Sequence, residues 1–291
     1  MHAPDAEYTR WIGRTETIDD TLAPAQADAA AATLDRDGAP FRPGQPLPPL
    51  WQWFYFHAPV PQHTLAADGH APRGDFLPPV PQPRRMFAGA RITVHHPLRL
   101  GEAARREGEI RDVTMKTGRS GSLAFVRVGY RYLQGGALCI EEEQDIVYRD
   151  PSPAGGATAS GALPAPSSGV HTRLVHPDAR LLFRFSALTF NAHRIHYDRD
   201  YARGEEGYPG LVVHGQLIAM LLLALAEDVA APGARVVRSF AFRSERPVFD
   251  GAPLRLAAEQ LGATVRLDAR SPDGLVAQGA TATFRVEPSR E

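Results

Sequence analysis

The chain contains a single cysteine, no long hydrophobic run and no excess of either charge. Cys139 alone excludes an internal disulfide and favours a reducing compartment, which predicts a cytoplasmic protein. The formal net charge of -1 gives no sign of the overall basic charge that is typical of proteins that bind nucleic acid. The longest apolar run, Leu211 to Ala226, is interrupted by His214, Gly215 and Gln216 and is too short to span a bilayer. We therefore expect a protein that binds neither nucleic acid nor membrane.

The remaining composition is that of a folded chain, and its pattern predicts two halves with the same order of elements. In the first half, a short strand (Arg10 to Thr17) and an alanine-rich helix (Thr21 to Leu34) precede a proline-rich loop (Ala39 to Arg85). In the second half, a strand (Ala179 to Phe185) and a polar loop precede an apolar helix (Val213 to Asp228). Four strands follow in each half. They are Phe87 to Val94, Ala104 to Lys116, Ser122 to Leu133 and Leu138 to Tyr148, then Val236 to Ser244, Leu254 to Gln260, Thr264 to Ala269 and Leu275 to Val286.

One short sequence echo supports a duplication. HPLRLG, with Pro97 and Gly101, has the same spacing as RPVFDG, with Pro247 and Gly251. The predicted domains are residues 1–150, a low-complexity linker at 151–169, and residues 170–291. A helix followed by an antiparallel sheet in each half predicts an α+β fold in which the sheet wraps the helix.

The polar loop of the second half is the strongest candidate for a functional site. Asn191, His193 and His196 lie together in FSALTFNAHRIHYD, and His214 and Gly215 open the following helix. A loop held between regular elements can bring a base, an amide and backbone N–H groups close together.

These residues resemble the hydratase motif of the MaoC-like, hot-dog-fold (R)-specific enoyl-thioester hydratases. The family pattern is S-G-D-x-N-P-x-H-x-D followed by a G-x-x-x-H-G helix entry, and here YPGLVVHGQL forms the entry. PRRMFAGARITVHHPLRLGE, VTMKTGRSGSLAFVRVGYRY and EEEQDIVYR resemble the degenerate N-terminal hot dog of two-domain members. The resemblance implies a double hot-dog fold. It is strongest to the hydroxyacyl-thioester dehydratase type 2 branch, which includes mesaconyl-C4-CoA and itaconyl-CoA hydratases.

The resemblance assigns roles residue by residue. His196 matches the catalytic histidine and would act as general base, since an ordinary imidazole titrates near about pH 6.5. Asn191 stands where most members have the catalytic aspartate, and an amide positions water rather than accepting its proton. The backbone N–H of Gly215 would stabilise the thioester oxygen at a helix N-terminus. His193 and Arg194 replace the asparagine and proline of the motif.

Several of these side chains also have structural interpretations, which stay open at this point. His193 contacts substrate or water, or anchors the loop. His214 belongs to the site, or packs at the helix entry. Asp198 caps a small helix at Arg199 to Ala202, or orients His196.

Two further groups are candidates for substrate recognition. Trp51 and Trp53 line the acyl pocket or pack in the core. Arg84 and Arg85 clamp a distal carboxylate of the substrate, or are solvated at the surface.

The H-x-x-H spacing of His193 and His196 is compatible with a zinc site, but no cysteine or glutamate nearby completes a ligand set. We therefore predict no metal and no cofactor beyond the CoA thioester that serves as substrate. The predicted activity is a hydro-lyase for an α,β-unsaturated acyl-CoA, with a C5-dicarboxylyl group such as itaconyl or mesaconyl. The alternatives are a general 3-hydroxyacyl-thioester dehydratase and a non-catalytic acyl-thioester-binding subunit. A homodimer is compatible with the fold.

Overall fold

The computed structural model describes residues 4–118, 121–151, 169–230 and 236–285. These residues form two compact units. Unit 1 lies within Met1–Ala88, His95–Ala154 and Arg184–Arg194, and unit 2 lies within Gly89–Val94, Gly155–Phe183 and Ile195–Glu291. Nearly all of the predicted linker at 151–169 falls outside the described residues.

Strands are the main regular elements of the described residues. The strands are β1 (Thr15–Thr21), β2 (Arg84–Val94), β3 (Ala103–Gly118), β4 (Gly121–Gln134), β5 (Ala137–Arg149), β6 (Val170–Val175), β7 (Val236–Ser244), β8 (Leu254–Leu261), β9 (Thr264–Arg270) and β10 (Val276–Arg285). The helices are α1 (Pro4–Thr9), α2 (Pro24–Thr33), α3 (Ala179–Leu188), α4 (Arg199–Gly204) and α5 (Gly215–Val229). Short 3-10 turns lie at Trp51–Phe54, Gln62–Thr64 and Arg194–His196.

The strands of the two units follow the same antiparallel order. Unit 1 contains β1-β3-β4-β5, and unit 2 contains β6-β8-β9-β10-β7. Residues Gly89 to Thr93 of β2 pair antiparallel with β7. In unit 2, helix α5 packs on β7, β8, β9 and β10, and eight of its 15 residues are buried. The sheet of the second half therefore covers a central apolar helix, as predicted.

The two echoing hexapeptides form the same turn. The two turns share three matching backbone hydrogen bonds to earlier segments of their own units. They are Leu47 N–H to Leu98 O, Leu100 N–H to Gln45 O and Gly101 N–H to Leu22 O, then Val213 N–H to Val248 O, Asp250 N–H to Leu211 O and Gly251 N–H to Pro177 O. Gly101 and Gly251 have φ values of 80° and 76°, in the left-handed region that glycine tolerates. The sequence echo is thus also a structural repeat.

This repeat shows which helices of unit 1 and unit 2 correspond to each other. It matches Leu47 with Val213, so the chain after Leu47 is the counterpart of α5. Pro48 and Pro49 follow Leu47, and Leu50 has a left-handed φ of 70°. Because a left-handed residue at this point interrupts a right-handed helix, unit 1 has only the 3-10 turn Trp51–Phe54 there. Helix α2, which confirms the predicted alanine-rich helix, is the counterpart of α3.

The strand predicted at Ala179 to Phe185 is wrong, because this segment belongs to helix α3. Leu182 and Phe185 are fully buried, whereas Phe183 is 64% exposed. That three-residue period is helical. The carboxylate of Asp178 accepts a hydrogen bond from the Leu181 N–H at 2.9 Å, as an N-cap does.

The opening of the chain also differs from the prediction. Arg10 to Gly13 form a turn after helix α1, and the first strand begins only at Thr15. Helix α1 and strand β6 were not predicted. The other strands agree with the prediction within a few residues, and the proline-rich segment is a long loop with two 3-10 turns. Within the described residues, no helix has the length and apolarity needed to cross a membrane.

The helical assignment of α3 can be tested with two phenylalanines. Residues 183 and 185 would share one face of a strand, but lie on opposite sides of a helix. Phe185→Ala should lower the free energy of unfolding by about 3–5 kcal/mol, because Phe185 is buried against the edge of Phe54. Phe183→Ala should change the free energy of unfolding by less than about 0.5 kcal/mol. Urea denaturation measures both values, and equal losses would contradict the helix.

Candidate active site

His196 lies at the end of the 3-10 turn Arg194–His196, and only 8% of the residue is exposed. Its Nδ1 is 2.7 Å from the carbonyl oxygen of Val212. Because a carbonyl can only accept, Nδ1 carries the proton in this bond. In the neutral ring, Nε2 therefore keeps its lone pair. This is the form that a general base requires.

The ring of His214 stacks on the ring of His196. Their centroids are 3.7 Å apart and their planes differ by 19°. His214 is the N-cap residue of α5 and is 2% exposed, but its side chain makes no capping hydrogen bond. Gly215 is the first helical residue. Unit 2 therefore brings His196, His214 and the positive end of the α5 dipole together.

The segment Leu211 to Val213, which we call the strap, is held in place by hydrogen bonds to residues of the RPVFDG turn. The Asp250 carboxylate accepts a hydrogen bond from the Leu211 N–H at 2.9 Å and binds both terminal guanidinium nitrogens of Arg199. The hydrogen bond between Arg199 and the Asp250 carboxylate raises the pKa of Arg199. The Val212 N–H also donates to Ile195 O at 2.9 Å. The carbonyl that orients His196 is thus held on both sides. The RPVFDG echo is visible in the sequence, but the role of Asp250 is not.

Asn191 and His193 belong to unit 1. The side-chain oxygen of Asn191 accepts a hydrogen bond from the His193 N–H at 3.0 Å, and the Asn191 N–H donates to Ser186 O at the end of α3. Phe190, at the family's glycine position, has a left-handed φ of 50°. Part of the Asn191 amide therefore shapes the loop. Its predicted role in positioning water stays a prediction.

The environment of His193 was not foreseen from sequence. His193 is 6% exposed, and its ring centroid lies 4.2 Å from the ring centroid of His70. Asp68, His70 and His193 each place one polar side-chain atom in a cluster, and these three atoms lie within 4.8 Å of one another. Asp68 and His70 come from the proline-rich loop, more than 100 residues earlier, where no pattern marks them.

Asp198 is an N-cap, as one of its two interpretations predicted. Its carboxylate accepts a hydrogen bond from the Tyr201 N–H at 3.0 Å at the start of α4. The alternative role, orienting His196, stays a prediction. The structure assigns that role to the Val212 carbonyl.

The predicted pocket and clamp residues lie in unit 1. Trp51 and Trp53 are 3% and 7% exposed, and Trp53 Nε1 donates to the buried carboxylate of Glu142 at 2.8 Å. These contacts favour the core-packing interpretation. Arg84 and Arg85 open β2 and are half-buried. Their proposed contact with a substrate carboxylate stays a prediction.

The repeated strand order, the helix buried in unit 2 and the stacked imidazoles at its start define a double hot-dog protein of the thioester dehydratase class. The chain belongs to the hydroxyacyl-thioester dehydratase type 2 family, whose model matches residues 50–250. The predicted family and fold are therefore confirmed.

One known relative supports the family, and two solved structures support the fold. The mesaconyl-C(4)-CoA hydratase of Chloroflexus aurantiacus is 57% identical over 279 residues, or 95% of this chain and 97% of that protein. HtdX of Mycobacterium tuberculosis is 18% identical, with a TM-score of 0.64 over 94% of this chain and all of that chain. Another M. tuberculosis protein, reported to have a double hot-dog fold, is 14% identical with a TM-score of 0.56 over 94% of this chain and 96% of that chain.

The anchoring of the strap can be tested through Asp250. Asp250→Asn removes charged hydrogen bonds from a carboxylate that is only 6% exposed. We expect the free energy of unfolding to fall by about 1.5–3 kcal/mol. Asp228→Asn is the matched control, because it breaks a more exposed ion pair with Arg173 in the same unit and should cost about 0.2–1 kcal/mol. Equal urea midpoints for the two variants would show that Asp250 does not hold the strap.

Proposed function

We propose that the chain is a hydro-lyase that adds water reversibly to an α,β-unsaturated acyl-CoA, with His196 as general base. The observation that carries this proposal is the hydrogen bond from His196 Nδ1 to Val212 O, since it puts the ring proton on Nδ1 and makes Nε2 the basic nitrogen. Membership of a thioester dehydratase family gives the reaction class, and dehydration is the same reaction in reverse.

The proposed mechanism needs three contributions. His196 Nε2 removes a proton from water as the water oxygen bonds to the β-carbon. The Asn191 amide orients that water. Negative charge gathers on the thioester oxygen, and the N–H of Gly215 stabilises it at the start of α5. The proton held by His196 then passes to the α-carbon, which completes the addition of water.

We further propose a C5-dicarboxylyl substrate, mesaconyl-C4-CoA or itaconyl-CoA, with citramalyl-CoA as product. Support comes from the 57% identical relative, a mesaconyl-C(4)-CoA hydratase. A substrate with a second carboxylate requires a cation near its distal end, and Arg84 and Arg85 are the candidates. The reaction as proposed uses no metal or cofactor. Cytoplasmic location and a homodimer are part of the same proposal.

The substrate and the base can be tested in one assay series. Loss of enoyl absorbance should be fast with mesaconyl-CoA or itaconyl-CoA and much slower with crotonyl-CoA, and a chelator should not change the rate. His196→Gln should lower kcat by at least about 10²-fold, because an amide cannot act as the base. His171→Gln, at an exposed position of β6, is the matched control. Full activity of His196→Gln, or none of the wild type on any of the three thioesters, refutes the proposal.

The role of the Gly215 N–H has its own test. Proline is well tolerated at the first helical position, and the residue before it, His214, has an extended conformation (φ −61°, ψ 130°) that suits a following proline. Gly215→Pro should therefore keep α5 but remove the N–H, lowering kcat by about 10²–10³-fold.

Gly215→Ala retains the N–H and is the matched control. Circular dichroism and thermal unfolding should show both variants folded. Similar kcat values for the proline and alanine variants would exclude Gly215 as the oxyanion donor.

A further inference from the structure

A loop from the proline-rich region docks on the motif segment Ala192 to Arg194. The Arg194 N–H donates to Asp68 O at 2.9 Å, and the Arg194 guanidinium donates to Ala67 O at 3.1 Å. Gly69 has a φ of 91°, and a Cβ there would collide with the carbonyl oxygen of Ala192. Only glycine permits this approach. The two segments are thus fitted to each other through backbone atoms.

Within this loop, Asp68 holds His70 with both carboxylate oxygens. Oδ1 accepts from the His70 N–H at 2.9 Å, and Oδ2 lies 2.9 Å from His70 Nδ1. Both side chains are largely shielded from solvent, with 23% and 21% exposed. Nδ1 therefore carries a proton, and Nε2 of the neutral ring keeps its lone pair.

The charges agree with this arrangement. Burial opposes the charged form of Asp68, but the hydrogen bonds from His70 and the proximity of His70 and His193 outweigh it and lower the pKa of Asp68. Burial also lowers the pKa of His70, against the effect of Asp68 and with the help of Arg85 and Arg73. At neutral pH, an ionised carboxylate thus supports a neutral imidazole.

The His70 ring in turn packs on His193, with centroids 4.2 Å apart and planes tilted by 43°. A metal site is disfavoured here, although the donor types would suit zinc. Asp68 already accepts two hydrogen bonds from His70, so a metal ion would have to compete with them for a third protein ligand beside the two imidazoles. Arg73 and Arg85 also bring positive charge to His70.

We infer that Asp68 and His70 are positioning residues that hold the His193 ring and so fix the loop that carries Asn191. This inference rests on the proposed function. Asn191 occupies the position of the family's aspartate, and its side-chain oxygen is bound to the His193 N–H. Asp68 supplies a carboxylate to this loop from elsewhere in the chain, through His70. The same arrangement of a carboxylate behind an imidazole orients histidines at many acid–base sites.

The decisive test is the pH dependence of Asp68→Asn. The variant should lower kcat at least about tenfold with little change in KM, because the loop geometry rather than substrate binding is altered. Loss of the negative charge also disfavours protonated imidazole at His70 and His193. We expect protonation of these two rings to lower the rate in addition to protonation of the base His196, so the acidic limb of the kcat profile should move to lower pH. Arg73 and Arg85 are the other charged groups that face His70.

Matched variants separate positioning from simple folding. Asp75→Asn, in the same loop, removes an exposed carboxylate paired with Arg14 and should leave rate and pH profile unchanged. Asp68→Glu should recover part of the rate, and His70→Gln should reproduce the loss seen in Asp68→Asn. Thermal unfolding of each variant reports whether the fold is kept.

Three outcomes overturn the inference. The first is a wild-type rate for Asp68→Asn. The second is a lowered rate with an unmoved acidic limb, which would mean a purely structural role. The third is thermal stabilisation of the wild type by added Zn²⁺ that is absent in Asp68→Asn, which would mean a metal site. Each leaves the proposed function standing, because that proposal fails only if the wild type lacks hydratase activity or His196→Gln keeps it.

Discussion

The hydrogen bond between His196 Nδ1 and the carbonyl of Val212 is the contact on which the candidate site depends. It places the ring proton on one nitrogen and leaves the other as an acceptor. The same strap is followed directly by His214, which stacks on His196 and leads into α5. One short segment therefore sets both the protonation of the base and the position of the helix N-terminus. Asp250 and Val248, in the RPVFDG turn, hold this segment in place.

The two units use one backbone scaffold for different purposes. The same turn, with the same three hydrogen bonds, precedes a long helix in unit 2 and a single 3-10 turn in unit 1. The left-handed conformation of Leu50 interrupts a helix there, and buried aromatic rings occupy the segment instead. The indole of Trp53 and the hydroxyl of Tyr132 bind the buried carboxylate of Glu142. At this point of the repeat, unit 2 alone presents the N-terminus of a long helix.

Much of the fold follows from the sequence, because its long strands alternate over many residues and glycine turns separate them. The candidate site also follows in part, since His196, His214 and Gly215 lie in one motif. Helix α3 was missed because a short apolar run fits either period, and the buried contacts of Phe185 decide between them. Asp68 and Asp250 were missed for another reason. Asp250 binds groups far away in the chain, and Asp68 reaches the motif loop only through His70. In both cases a single carboxylate among loop residues gives no periodic signal.

The central claim is that His196 presents an unprotonated Nε2 because Val212 binds its Nδ1–H. Nitrogen-15 NMR of the ring, in protein labelled at histidine, measures this directly. At neutral pH, the account predicts a His196 ring protonated at Nδ1 alone, and a Val212 carbonyl that remains its acceptor when an unreactive acyl-CoA analogue is bound. A ring protonated at Nε2 with a bare Nδ1 would contradict the account.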